Sequence, residues 1–95
     1  MGGTGNIIFR THAIKRMFQR HINEKDVRSV LETGETIESY PDDTPYPSRL
    51  VLGWIGNRPL HVVVADNAAD DQIIVITVYE PGQDKWVRDF KRRIQ

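Results

Sequence analysis

Three cationic or titratable side chains recur at intervals of four near the start of the chain: His12, Arg16 and Arg20. An α-helix advances about 100° per residue, so this spacing places all three on one helical face. Two guanidinium groups in a row can hold successive phosphates, because each is a rigid fork of donors. A histidine beside them can exchange a proton near neutral pH. The pattern indicates a phosphate-binding face with His12 as a catalytic candidate. A solvated amphipathic helix would explain the same pattern, except for the alignment of His12 with the two arginines.

Two further catalytic candidates lie in apolar segments. His61 directly precedes Val62–Val64 and could stand at the mouth of a cleft as a proton acceptor. It could equally be a buried strand histidine whose hydrogen bonds are satisfied. Thr77 and Tyr79 share one face of a strand, so Tyr79 could place its phenol on a scissile phosphate or serve as a core aromatic residue.

The chain ends in a basic run that contains Arg92 and Arg93. Cations at the end of a helix are stabilised by the helix dipole, which is a complete structural explanation. The same two arginines could also close a phosphate groove. Arg16, Arg20, Arg92 and Arg93 are therefore the candidate nucleic-acid-binding residues.

Several chemistries are excluded by what the sequence lacks. The absence of cysteine removes disulfides, thiolate metal sites and cysteine nucleophiles, and fits a reducing cytoplasm, where we expect the protein to reside. Three histidines without metal-ligand spacing predict no metal, and no glycine-rich phosphate or dinucleotide motif is present, so we expect no cofactor. The longest apolar run, Ile73–Ile76, is too short to cross a membrane.

The charge is balanced but segregated. Thirteen lysines and arginines match thirteen acidic residues. Residues 1–30 carry six cations and two anions, residues 31–80 two cations and nine anions, and residues 81–95 five cations and two anions. Basic ends that meet in space would form a basic patch, whereas solvated helix charges and acidic loops would also explain the segregation.

A length of 95 residues predicts one domain over 1–95, with residues 1–6 flexible or partly a cloning remnant. Thr11 is the expected N-cap of a first helix over 12–20, whose apolar face comprises Ile14, Met17 and Phe18. A second helix over 24–33 begins with a capping box between Asn23 and Asp26. It ends at Gly34.

Strand-forming segments follow over 35–40, 49–55, 60–65 and 72–79, separated by turn-rich connections. The short connections favour an antiparallel meander. A final helix over 84–94 should bury Trp86, Phe90 and Ile94. The predicted fold class is α+β, in the order helix, helix, four antiparallel strands, helix.

The combination of motifs resembles a small prokaryotic family of domains of unknown function that is related to the RelE/ParE and BrnT toxins. The resemblance rests on His12-Ala13, Arg16-Met17, Asp26-Val27, Gly34-Glu35, Tyr46-Pro47-Ser48, the run Arg58 to Val63, Thr77-x-Tyr79-x-Pro81 and Trp86. It implies helices packed on an antiparallel sheet and a gene that often neighbours a small antitoxin. The family often has glycine where this chain has His21, which indicates either strain in a left-handed helix end or a different turn.

The resemblance favours a toxin-like, metal-independent endoribonuclease that cleaves RNA, either free or on the ribosome. His61 or His12 would supply base and acid, Arg16 and Arg20 would hold the phosphate, and Tyr79 would orient it or donate a proton. The alternative is a non-catalytic module that docks an antitoxin or nucleic acid through its basic helix. A small-molecule enzyme or structural domain is the third hypothesis. The oligomeric state is left open.

Overall fold

The computed structural model describes residues 6–82 and 84–93. Within these residues the regular elements follow in the order β1 (Asn6–Phe9), α1 (Thr11–Arg20), α2 (Glu24–Thr33), β2 (Glu35–Tyr40), β3 (Ser48–Ile55), β4 (Arg58–Asn67) and β5 (Gln72–Tyr79). A short 3-10 turn, Ala68–Asp70, connects the last two strands. Asn6 is already part of β1, while the expectation for residues 1–5 lies outside the described residues.

The strands form one mixed sheet in the order β1-β5-β4-β3-β2. The four predicted strands are antiparallel neighbours, as the short connections require. The prediction of an all-antiparallel, four-stranded sheet is wrong because β1 adds a fifth strand, parallel to β5. This pairing joins Ile7 to Ile73, which both helices and three strands separate along the sequence. A local sequence pattern does not indicate so distant a partner.

Helix α1 lies in a different rotation from the one that its apolar residues predict. Ala13 and Met17 are buried, but Ile14 is exposed and Phe18 is 86 % exposed. The rotation turns Arg16 partly inward, toward the body of the protein. Thr11 is the first helical residue rather than the N-cap, a position that the extended Arg10 occupies without a side-chain cap.

The two helix ends that follow agree with the sequence patterns. His21 closes α1 in the left-handed conformation, with φ 56° and ψ 45°. Asn23 and Asp26 form the predicted capping box, with Asp26 N donating to Asn23 Oδ1 at 2.8 Å and Asn23 N donating to Asp26 Oδ2 at 3.1 Å. At Gly34 a β-carbon would run into the carbonyl oxygens of Val30 and Leu52, so only glycine fits between the helix and β3.

The sheet has two differently covered faces. Face one packs against both helices and contains a wholly apolar core, which includes Val27 and Val30 of α2 together with Leu60, Val62, Val64, Val75 and Val78 of the sheet. Face two carries a smaller cluster of Leu50 and Leu52 with Trp86 and Phe90.

Residues 84–93 cover face two as an irregular strap, which we call the C-terminal strap, so the predicted third helix is wrong over its described part. Val87 N donates to Arg92 O at 2.8 Å and Phe90 N donates to Val87 O at 2.7 Å, closing turns in place of helical hydrogen bonds. Phe90 has φ 61°, which a right-handed helix does not allow. Trp86 and Phe90 are nevertheless buried as predicted. Ile94 lies outside the described residues.

Candidate functional site

A pocket of about 380 Å³ opens where the edge of β5 is left without a strand neighbour. β1 pairs only with the first half of β5, up to Val75, and Arg10 N then donates to Val75 O at 3.0 Å as the chain turns into α1. Helix α1 runs along the second half of β5. We call this the α1–β5 pocket. Its lining residues come from α1, the end of β5 and the strap: Arg16, Arg20, Tyr79, Glu80, Pro81, Gly82, Asp84, Lys85, Trp86 and Arg93.

The basic ends of the chain meet at this pocket. Arg16 and Arg20 come from α1, and Lys85 and Arg93 come from the strap. The carboxylates of Glu80 and Asp84 also line it, so cations outnumber anions by four to two.

Arg16 is incompletely satisfied. Its Nε is buried and has no hydrogen-bond partner among the described residues. A buried donor without a partner costs about 1–3 kcal/mol, and more when the group is charged. An anion in the α1–β5 pocket would meet a guanidinium whose hydrogen-bonding capacity is not used up within the protein.

Tyr79 joins the pocket to a fully buried histidine. The Tyr79 hydroxyl lies 3.2 Å from Nδ1 of His61, and Nε2 of His61 lies 2.8 Å from the carbonyl oxygen of Phe90. A carbonyl only accepts hydrogen bonds, so Nε2 must carry the ring proton and Nδ1 must accept from the Tyr79 hydroxyl. The phenol proton therefore points inward, and the oxygen lone pairs remain for a ligand.

Aromatic rings enclose this pair. The His61 ring meets Trp86 edge-on at a centroid distance of 4.3 Å and Tyr79 at 5.2 Å. Burial lowers the pKa of His61, opposed mainly by the hydrogen bond to the Phe90 carbonyl. Burial also raises the pKa of Tyr79. Both groups are therefore neutral near pH 7, His61 as a proton acceptor and Tyr79 as a phenol.

Arg93 is held over the site by two contacts. Its guanidinium carbon lies 4.7 Å from the centre of the Trp86 ring, and its Nε lies 3.7 Å from a carboxylate oxygen of Glu38. Stacking on an indole uses the face of the guanidinium and leaves edge donors for an anion.

Arg58 fixes the end of α1 beside the pocket. Its guanidinium donates to the carbonyl oxygens of Arg20 and His21 and pairs with Glu80 at 3.2 Å. The last carbonyls of a helix lack partners within the helix and carry partial negative charge, so a cation there is favourable. Arg58 thus links the turn after Arg20 to the end of β5, although we predicted no site role for it.

The predicted site residues divide into those that the pocket gathers and those that lie elsewhere. Arg16, Arg20, Tyr79 and Arg93 line it, with His61 directly behind Tyr79. His12 is exposed on α1 and is not one of the lining residues. Arg92 lies instead on a separate depression with Val87, Arg88 and Asp89.

Sequence reasoning missed three charged residues of the pocket: Glu80, Asp84 and Lys85. They follow β5 directly around Pro81 and Gly82. A charged run just after a buried strand is the signal that could have identified them.

Among the described residues, no three histidine or acidic side chains are grouped as metal ligands would be. No helix in the described part of the chain is long and apolar enough to span a membrane.

A family model described as Domain of unknown function (DUF4258) matches residues 9–80. The chain belongs to this family. The matched region of this DUF4258 protein contains both helices and β2 to β5, including Arg16, Arg20, His61 and Tyr79. It ends before the C-terminal strap, so Lys85, Trp86 and Arg93 complete the pocket from outside the matched region. Comparisons with curated proteins and with solved structures gave no match.

Proposed function

We propose that this DUF4258 protein is a toxin-like, metal-independent endoribonuclease, of the kind exemplified by the RelE/ParE and BrnT toxins, that cleaves RNA at the α1–β5 pocket. The observation that carries the proposal is the convergence of four cations from both basic segments of the chain on one pocket that Tyr79 also lines.

The cations account for phosphate binding and for transition-state charge. When the 2′-oxygen of a ribose attacks the adjacent phosphorus, the phosphorane gains negative charge, and guanidinium groups placed around it stabilise that charge most. Arg16, Arg20 and Arg93 would provide these groups. Arg16 lines the pocket, and its Nε is not engaged by an acceptor among the described residues.

The hydrogen-bond polarity of Tyr79 favours a role in removing the 2′-proton. Its oxygen would accept this proton while its own proton passes to Nδ1 of His61 over the existing 3.2 Å contact. The resulting imidazolium would keep its Nε2 hydrogen bond to the Phe90 carbonyl. His61 would therefore act through Tyr79 and not on the RNA itself, since it is fully buried.

The remaining step releases the 5′-oxygen. The bond from the 2′-oxygen to phosphorus forms as the bond from phosphorus to the 5′-oxygen breaks, and the Lys85 ammonium would protonate the leaving oxygen. The products are a 2′,3′-cyclic phosphate and a 5′-hydroxyl. The proton on His61 then returns to solvent through Tyr79, and Lys85 regains one from water.

The test is cleavage of a labelled RNA, free and on ribosomes, beside the same sequence with 2′-deoxyribose. We expect the RNA to be cut and the deoxy strand to stay intact.

Tyr79→Phe should lower the rate about 10²- to 10⁴-fold, the usual contribution of a positioned proton-transfer group. Arg16→Ala should lower it about 10²- to 10³-fold, as for loss of one stabilising donor. Arg28→Ala is the matched control, because Arg28 lies on α2 outside the pocket lining and pairs with Glu24 at 3.9 Å. The proposal would be ruled out if RNA stayed intact with an equimolar amount of the protein, or if all variants cleaved it at the rate of the wild type.

The second candidate function is a non-catalytic module that docks a small antitoxin or nucleic acid. The observation that favours it is the exposure of Ile14 and Phe18, one helical turn apart on α1, a helix that contains no acidic residue. A basic, apolar surface suits an acidic amphipathic segment of a partner. Expression of the chain, alone and together with the product of any small gene that lies beside its own, separates the two functions. A ribonuclease arrests growth unless Tyr79 is changed to Phe, whereas a docking module binds the neighbour's product through Phe18 and leaves RNA intact.

A further inference from the structure

Trp54 is a large aromatic side chain that the proposed cleavage chemistry does not use. It lies on β3, one residue before the strand ends, and is 48 % exposed. Its ring packs against that of Phe90 in an edge-to-face arrangement, with the ring centroids 5.9 Å apart and the ring planes at 65°. The indole is therefore held in place by the strap while part of its surface faces solvent.

The surroundings of Trp54 are polar. The indole borders a cavity of about 270 Å³ that Lys91 and Glu35 also line. These two residues form an ion pair at 3.1 Å with both side chains substantially exposed. A planar ligand stacked on the ring would thus have Lys91 and Glu35 nearby. The ammonium of Lys91 could bind a phosphate, and the carboxylate of Glu35 could accept from amino groups.

The exposed apolar area here is too small for a protein interface. Stable protein contacts bury about 800 Å² on each partner. Trp54 offers part of one ring, and its neighbour Leu52 on the same face is buried. Stacking of a nucleobase, in contrast, requires one aromatic face and suits any base.

The sheet register sets the distance from Trp54 to the α1–β5 pocket. Tyr79 is paired with His61, and His61 with Leu52, two residues before Trp54. Two strand spacings of about 4.8 Å and a rise of about 7 Å along β3 put the Cα atoms of Tyr79 and Trp54 about 12 Å apart. Both residues lie on face two, on either side of Trp86 and Phe90. A short single strand can contact both.

We propose that Trp54, with the cavity it shares with Lys91 and Glu35, is a base-stacking subsite for single-stranded RNA whose phosphate lies in the α1–β5 pocket. The inference rests on the proposed function, for which it supplies the substrate class. The protein would then bind a single-stranded segment and not a duplex, because a base that is stacked inside a nucleic-acid duplex has no free face.

The experiment uses a 2′-O-methyl oligonucleotide, which the proposed chemistry cannot cleave, so that binding is measured apart from activity. The chain has two tryptophans, and the second, Trp86, is only 3 % exposed. We expect binding to quench the emission of Trp54, and the anisotropy of a dye-labelled oligonucleotide measures affinity in every variant, including those that lack this indole. Trp54→Ala should weaken affinity about 5- to 150-fold, the range for loss of one stacked base. Trp54→Phe should retain most of the affinity.

Salt dependence separates stacking from charge. Trp54→Ala should leave the slope of log affinity against log salt unchanged, whereas Arg16→Ala should flatten it. Ile8→Ala removes a comparably exposed apolar side chain on β1, away from both cavities, and should change nothing. Circular dichroism and urea unfolding establish that each variant folds.

Undiminished binding by Trp54→Ala overturns the subsite, and so does a failure of the wild type to bind the oligonucleotide at all. Neither result bears on the proposed function, which the cleavage of unmodified RNA tests separately. Self-association that disappears in Trp54→Ala, without oligonucleotide binding, would make Trp54 a contact between copies of the chain and would also overturn the subsite.

Discussion

The two faces of the sheet are covered in different ways and carry different chemistry. On β4, Leu60, Val62 and Val64 point to face one and pack beneath two regular helices. The alternate residues point to face two, where His61 lies beneath the strap. The two helices cover face one with closely packed apolar side chains. A strap of turns brings backbone carbonyls close to the sheet, and one of them satisfies a buried histidine.

The strap is attached to the sheet at few points. Trp86 and Phe90 are its buried anchors, and Lys91 and Arg93 pair with Glu35 and Glu38 on β2. Exposed ion pairs contribute about 0–1 kcal/mol each, so the two aromatic anchors provide most of the attachment. Face two therefore combines a buried titratable group with a cover that is attached at few points.

The largest expected effect follows from Trp86→Ala. Removing a buried tryptophan costs about 3–5 kcal/mol, and here it also uncovers His61. Because Trp86 is one of the two buried side chains that hold the strap on the sheet, we expect amide exchange to accelerate first in residues 84–93 and at His61, while α1 and α2 keep their protection. Hydrogen exchange read by mass spectrometry, with urea unfolding, measures both.

Leu60→Ala is the matched change on face one, at a cost of about 2–5 kcal/mol. Leu60 is fully buried beneath the helices, so exchange should accelerate throughout the helices and sheet. The comparison between the faces is wrong if Trp86→Ala loosens the helices as much as the strap, or if Leu60→Ala acts only locally.

A smaller effect concerns the dependence of stability on pH. Burial lowers the pKa of His61 below its ordinary value of 6.5, so the folded protein keeps this ring neutral where the unfolded chain binds a proton. The free energy of unfolding should therefore fall as the pH drops below 6.5 toward the folded pKa, with no contribution from His61 above 6.5.

His61→Gln should remove this part of the pH dependence in urea titrations on either side of pH 6.5. His12→Gln is the control, because His12 is exposed on α1 and should leave the profile unchanged. A profile that His61→Gln does not alter would mean that face two tolerates a charged imidazole.

The smallest effect is expected at the end of α1. His21 has φ 56°, a conformation that costs a residue with a β-carbon about 1 kcal/mol. His21→Gly should raise the stability by about that amount, seen as a higher urea midpoint at unchanged slope. His21→Ala keeps the β-carbon and should bring no such gain. An equal gain from both variants would trace the effect to the imidazole.

The elements with local signals were predictable from the sequence. The capping box at Asn23 and Asp26 and the end of α2 at Gly34 both depend on residues within one turn of the chain. Burial of Trp86 and Phe90 was likewise predicted, although from a final helix and not from a strap.

The errors concern interactions between distant segments. The parallel pairing of β1, the rotation of α1 that exposes Phe18 and the turns at Phe90 each depend on the surface that the segment meets. Ile14 and Phe18 form a better apolar stripe in isolation than Ala13 and Met17. In the fold, however, Ala13 and Met17 pack into the core while Ile14 and Phe18 stay exposed, and Arg16 lines the pocket.

The amino-acid sequence by itself determined which residues could bind phosphate or move a proton, and that its charges are concentrated at the two ends of a neutral chain. Only the tertiary structure decided which of them meet: Arg16, Arg20 and Arg93 beside Tyr79, with His61 behind it and His12 and Arg92 elsewhere. The physical reason is that residue type and spacing act over one helical turn or one strand. Convergence of the two ends requires β1 to pair with β5 and the strap to return over face two.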